Sequence, residues 1–255
     1  MAVILRFAGV VSLRLQQINS PMTKYFLLLL LLIIPQPGFA QDECVVLLHG
    51  LARVSNSMGE LENKLQRAGY SVANVSYPSR RHGISTLAED AVSRGLERCG
   101  TRSPEKIHFV THSLGGILVR AYLDEHSLLG LGHVVMLGPP NQGSELVDCL
   151  ILIPGFRFVI GPAGVELGAV KGTIVPKLGP VGFDLGIIAG TTSIFPLFSL
   201  FIPGPDDTIV SVESTRVEGM NQHLVLPVTH SLMMRNNVLI DHVIHYLKTG
   251  GFIPV

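Results

Sequence analysis

The residues best suited to chemistry lie in Thr111-His112-Ser113-Leu114-Gly115-Gly116. An apolar run at 107–111 precedes the serine, and a helix-forming run at 117–123 follows it. A serine on a sharp strand-to-helix turn is pushed out of the sheet with its hydroxyl at a helix start, where it can act as a nucleophile. Glycine two residues later keeps a side chain out of the turn. Glycine usually also stands two residues before such a serine. Thr111 takes that place here, which implies a wider turn or packing around the threonine. The bland alternative is a serine that only caps a helix.

A serine hydroxyl is a weak nucleophile without a base, and the base needs an orienting acid. On a strand-turn-helix scaffold of this kind the chain order is serine, acid, histidine. Of ten histidines, His223, His230, His242 and His245 lie late enough. His242 and His245 fall inside an apolar-periodic closing helix, so they read as surface or packing residues. His230 lies in the loop before that helix and is the expected base, with His223 its rival. Pro203-Gly204-Pro205-Asp206-Asp207-Thr208-Ile209-Val210 reads as a turn before a strand-like run, and its Asp207 is the expected acid. Its neighbour Asp206 reads as a turn cap. Asp184 opens a strand at the wrong end. The oxyanion of a tetrahedral intermediate needs two N–H donors. Leu114 offers one, and Leu51, after His49-Gly50, the other. The side chain of His49 is expected to brace that loop.

These groups need a scaffold that gathers them. The run Cys44-Val45-Val46-Leu47-Leu48 reads as a buried strand, with further strands at 72–75, 107–111, 134–137, 183–190 and 224–228. Helical spacing appears at 58–68, 87–96, 117–123 and 237–247, the last with Val238, Ile240, Val243, Ile244 and Leu247 on its apolar face. Strand and helix in alternation predict an α/β domain: a mostly parallel central sheet with helices on both faces. The rhythm breaks at 150–182, an apolar stretch rich in glycine and proline. That stretch is expected to form a mobile cap over Ser113, or else a rigid insertion.

Hydrophobic residues make up 47% of the chain and charged residues 15%, enough apolar material for a buried sheet and too little charge for disorder. A formal net charge of zero and the lack of basic runs exclude nucleic-acid binding as a starting idea. Residues 1–40 read as a targeting region. Lys24 precedes an apolar run at 26–34, and Pro37-Gly38-Phe39-Ala40 follows it, a signal-peptide pattern with cleavage after Ala40. Met22 is an alternative start. The expectation is a secreted or periplasmic domain at 41–255, the alternative an uncleaved membrane anchor. Three cysteines remain after cleavage. A Cys44–Cys99 bridge is expected, because both residues fall on the sheet edge opposite Ser113, leaving Cys149 free. No spacing suggests a metal.

Val45-Val46-Leu47-Leu48-His49-Gly50-Leu51, Thr111-His112-Ser113-Leu114-Gly115-Gly116, Gly138-Pro139-Pro140-Asn141-Gln142-Gly143-Ser144, Asp207-Thr208-Ile209-Val210-Ser211-Val212 and Val228-Thr229-His230 together resemble bacterial α/β-hydrolases of the triacylglycerol-lipase and esterase type. Around Ser113 the chain is also similar to GPI inositol-deacylases. The resemblance covers roughly residues 43 to 250. The three-residue spacing from Asp207 to Val210 is one often seen in lipases. What the resemblance implies is acyl chemistry on an ester or amide without a cofactor. The expected activity is hydrolysis of carboxylic esters through an acyl-enzyme, on an ester or lipid substrate, with transient contact at a lipid surface. Acyl transfer by the same residues is the first alternative, and a non-catalytic binding protein on this fold the second.

Overall fold

A computed structural model describes residues 43–101, 103–169 and 174–254. The expected targeting region, its expected cleavage after Ala40 and the alternative start at Met22 lie outside the described residues. In chain order the elements are β1 (Glu43–Leu48), α1 (Gly59–Arg67), β2 (Ser71–Val75), α2 (Ile84–Gly100), β3 (Lys106–His112), α3 (Leu114–Glu125) and β4 (Leu131–Leu137). They continue with α4 (Glu145–Leu150), α5 (Phe156–Glu166), β5 (Leu185–Gly190), α6 (Pro196–Ser199), β6 (Gln222–Leu226) and α7 (Asn237–Thr249). The strands form one sheet in the order β2-β1-β3-β4-β5-β6, and every pair is parallel.

The strands nearest the middle of the sheet are buried on both faces, and β1, β4 and β5 are accordingly mostly apolar. β1 shows how the faces divide. Cys44, Val46 and Leu48 pack with Leu87, Ala91 and Val92 of α2 and Ile117 and Leu118 of α3. Val45 and Leu47 pack on the other face with Leu61 and Leu65 of α1 and Leu239, Ile240 and Val243 of α7. Because all strands run one way, the loops that follow β1, β3, β4, β5 and β6 emerge along one edge.

Three expected elements shift. The last strand is Gln222–Leu226 rather than 224–228, because Pro227 has no N–H to donate to a ladder. Val238 of the closing helix is exposed, and Leu239 and Tyr246 fill the core instead. The strand-like run after Asp207 is a turn: Asp207 Oδ1 accepts the N–H groups of Ile209 (3.0 Å) and Val210 (2.9 Å). Those amides are therefore unavailable to a strand partner.

Cys44 and Cys99 are bridged, with Cα atoms 5.7 Å apart, and Cys149 is free. The bridge ties the start of β1 to the end of α2 across 55 residues. By the chain-entropy estimate a loop of that length is worth about 4 kcal/mol. The C44A/C99A double variant should therefore melt roughly 10 °C lower, as read by calorimetry at fixed pH. A shift below about 2 °C would show that the bridge adds little to stability.

Several histidines are buried and held uncharged. Burial, followed by the charge of His133, pushes His108 down to about 4. Its Nε2 lies 3.5 Å from Glu43 Oε2, a contact that does not offset the loss of water. Burial likewise lowers His223 to about 4 and moves His49 in the same direction. A histidine whose folded pKa is depressed binds its proton later than in the unfolded chain, so acid favours unfolding. Stability should be flat above about pH 7 and fall steadily between about 6.5 and 4. For the fully buried His108 alone, that window costs roughly 3 kcal/mol. Melting temperatures at half-unit pH steps check this, and a profile flat from pH 7 to 4 would contradict it.

Candidate active site

β3 ends at His112, and Ser113 stands between it and α3 with φ 53° and ψ −120°. Few side chains adopt that backbone, and its cost is met by the surrounding fixed structure. Ser113 N–H donates to the Leu137 carbonyl (2.9 Å), which ties the turn to the end of β4. Gly115 is required by contact: a Cβ there would sit 2.5 Å from the Leu48 carbonyl oxygen of β1. Thr111 is wholly buried within β3 and takes the place of the more usual glycine without breaking the strand.

Asp207 and His230 reach the same edge from the loops after β5 and β6. His230 Nδ1–H donates to Asp207 Oδ2 at 2.7 Å, with Asp207 fully buried. His230 N–H also donates to the Asp207 carbonyl (3.1 Å). With its other oxygen held by the Ile209 and Val210 amides, the carboxylate has one orientation, and it fixes one tautomer of the imidazole. His230 Nε2 is left as the nitrogen able to accept a proton. Asp206 faces elsewhere: its Oδ1 accepts from Thr208 N–H (2.7 Å) and Ser199 O–H (3.0 Å). His223 is far from this role. It lies near the start of β6 and meets Thr215 Oγ1 at 2.8 Å. Asp184 serves the opposite edge, where it accepts from His133 Nδ1 and the Tyr246 hydroxyl.

Two residues that sequence reasoning passed over join these parts. His112 Nε2–H donates to the His230 carbonyl at 2.9 Å, and the two rings lie 4.7 Å apart. Burial, then the neighbouring His230, holds the His112 imidazole well below its ordinary pKa. Gly138, with φ 53°, backs the Asp207–His230 pair: a Cβ there would lie 3.0 Å from Asp207 Oδ2 and 3.1 Å from His230 Nδ1. Only the sequence position of His112 beside Ser113, and a glycine directly after a strand, hinted at either. Among the described residues no hydrogen bond joins Ser113 Oγ to His230 Nε2. In structures without substrate such bonds are often long and tighten on binding.

The loop after β1 comes close to the serine. A Cβ on Gly50 would be 3.1 Å from Ser113 Cβ and 2.7 Å from His112 Nδ1. His49 holds this loop. Its ring stacks on Tyr77 at 4.1 Å, Nδ1–H donates to the Gly50 carbonyl, Nε2 accepts from Tyr77 N–H, and the Tyr77 hydroxyl donates to the His49 carbonyl. The next amide but one, Ala52 N–H, is taken by Ser79 Oγ (3.0 Å). Leu51 N–H and Leu114 N–H have no protein acceptor among the described residues. Ser113 is only 6% exposed and His230 7%.

The insertion after β4 has two halves. Ile160, Ala163 and Gly164 are buried, Ala163 N–H donates to the His82 carbonyl, and Glu166 accepts from Ile84 N–H at 2.6 Å. The half before the kink at Gly161 leaves Leu152, Ile153, Phe158 and Val159 exposed. A second apolar surface, which sequence reading missed, comes from Phe195, Leu197, Leu200 and Phe201 around α6. Among the described residues no helix is long and apolar enough to cross a membrane, and no histidine, cysteine and carboxylate group could hold a metal.

Comparison of the sequence with protein-family profiles and with curated protein sequences gives no match. Solved structures do match. The mature form of the lipase BlEst2 from Bacillus licheniformis is similar at TM-score 0.64 and 15% identity, over 84% of this chain and 94% of that one. An esterase from Exiguobacterium antarcticum is similar at TM-score 0.56 and 15% identity, over 82% and 93%. The phospholipase PlaB from Legionella pneumophila is similar at 0.57 and 18%, over 69% of this chain and 45% of that one. At identities this low the likeness speaks for architecture alone, and the architecture is that of the α/β-hydrolase fold.

Proposed function

We propose that this protein hydrolyses carboxylic esters through an acyl-enzyme formed on Ser113. The observation that carries the reading is the buried Asp207–His230 pair beside a serine on a strained strand-to-helix turn. In this mechanism His230 Nε2 takes the hydroxyl proton as Ser113 Oγ attacks the ester carbonyl, and Asp207 holds the imidazolium. The N–H groups of Leu51 and Leu114, both without an acceptor among the described residues, receive the developing oxyanion. His230 then returns the proton to the departing alcohol. Water, activated by the same imidazole, releases the acid. None of these steps calls on a cofactor. The names of the structural neighbours, a lipase, an esterase and a phospholipase, favour an ester or lipid substrate. Acyl transfer, in which an alcohol replaces water on the same acyl-enzyme, is the second reading.

The exposed apolar half of the 150–182 insertion acts as the cap, and with the α6 surface it makes transient contact with lipid. The Cys44–Cys99 bridge supports residence in an oxidising compartment, outside the cell or in the periplasm. A fluorophosphonate should label Ser113, and a panel of chromogenic esters of rising acyl length should show turnover. Backbone exchange at 150–159 should be faster than in the strands. Failure to label Ser113 together with no turnover of any ester would refute the assignment. Alcohol esters among the products would move it to the transferase reading.

A further inference from the structure

Beside the loop that carries Leu51 lies a cleft of about 700 Å³ whose walls include Ala52, Arg53, Ser79, Arg80, Arg81 and Phe158. We propose that this cleft binds a negatively charged group of the substrate, so that the ester taken at Ser113 is an anionic amphiphile. The inference rests on the hydrolase reading and names the substrate class for the same site.

Three arginines line the cleft and no carboxylate does, in a chain whose formal net charge is zero. Elsewhere among the described residues Arg94 pairs with Asp90 and Arg216 with Glu213, whereas Arg67, Arg98, Arg157 and Arg235 stand singly on the surface; what sets the cleft apart is three arginines on one concave surface. Among the described residues none of Arg53, Arg80 and Arg81 forms an ion pair. Glu166, which packs beside Gly83, is committed to the Ile84 amide. Arg80 gives one N–H to the Val159 carbonyl (3.3 Å) and keeps the rest of its donors. Guanidinium groups match carboxylate and phosphate oxygens with paired donors, so three of them without counter-charge are suited to an anion.

Position ties the cleft to the chemistry. Its walls are the loops after β1 and β2, adjacent strands of the sheet. The loop after β1 packs on Ser113 through Gly50. The two walls are pinned together by Ser79 Oγ on the Ala52 amide, a residue itself held at φ 55°. Their spacing is therefore set before any ligand arrives. The charge of Arg53 is felt at His112, next to the serine, where it adds to burial in keeping that imidazole neutral. Phe158, 94% exposed, supplies an apolar lip from α5. A ligand spanning cleft and lip would carry a charge beside a hydrocarbon portion.

Two substrate pairs test this, each alike except for charge: mono-p-nitrophenyl suberate against p-nitrophenyl octanoate, and phosphatidic acid against diacylglycerol of the same chains in neutral detergent. The wild-type protein should favour the anionic member in kcat/KM. The preference should shrink as salt rises from about 0.05 to 0.5 M. R53Q/R81Q should lower the anionic-to-neutral ratio by roughly 10- to 100-fold, and R53K/R81K should retain part of it. Preference in the suberate pair alone assigns a carboxylate, and in the lipid pair alone a phosphate. Calorimetric binding of octyl phosphate, weakened by the same factor in R53Q/R81Q, reads the cleft without turnover. If no ester is hydrolysed while octyl phosphate still binds through the arginines, the hydrolase reading fails and the cleft stands. Ratios and octyl phosphate affinity unchanged in R53Q/R81Q would overturn the proposal.

Discussion

Replacing Ser113 with alanine should lower turnover of every ester by on the order of 10⁴-fold or more. The fold should survive, because Ser113 Oγ bonds to no protein group among the described residues and the backbone bonds of the turn, to Leu137 and from Gly116, do not involve the side chain. Alanine meets the same φ of 53° that serine already tolerates. The melting temperature and the Cys44–Cys99 bridge should accordingly stay as they are, while fluorophosphonate labelling disappears. Retention of more than about a tenth of the activity would remove Ser113 from the mechanism.

The second large effect should separate two adjacent aspartates. In Asp207→Asn the amide oxygen best serves the Ile209 and Val210 N–H groups, which Oδ1 now receives. The NH₂ group is then turned toward His230 Nδ1, which must become an acceptor. The ring proton moves to Nε2, and the base is lost. A change of this kind costs about 10⁴-fold in kcat. Asp206→Asn keeps an oxygen for Thr208 N–H and Ser199 O–H. Asparagine and aspartate cap turns of this sort about equally, so activity should stay within about threefold. A more severe loss in the Asp206 variant would reverse the assignment of the acid. Steady-state kinetics on one soluble ester, with melts as a control for folding, suffices.

Much of this scaffold could be read from local pattern. Apolar runs such as 44–48 and 107–111 are strands because a parallel sheet buried on both faces needs no polar alternation. Ser113 stood out because its neighbours on either side belong to different elements. The acid and the base could be proposed from chain order alone. What could not be read depends on contacts between distant parts of the chain. The bond from His112 to the His230 carbonyl joins residues 118 apart. Nothing local to Gly138 reveals that Asp207 and His230 rest against it. Arg120 is a similar case. Its buried guanidinium gathers the carbonyls of Asn141, Leu178 and Gly179, which no helical pattern around it foretells. Boundaries moved where a single group overrode hydropathy, as Pro227 did at the end of β6 and the Asp207 carboxylate did at 209–210.

The strand order has a consequence for how activity arises as the chain is made. From β3 outward the sheet is extended one neighbour at a time, β4, then β5, then β6, and the imidazole at 230 follows the outermost of these. A ribosome releases Ser113 and its turn long before that edge exists. If Ser113 is the nucleophile proposed above, a nascent or truncated chain would possess it and still be inert, with its hydroxyl unactivated until the final strand docks. On the proposed mechanism, hydrolysis would count only molecules whose sheet is complete, and the order of assembly itself would withhold the chemistry until the end of synthesis.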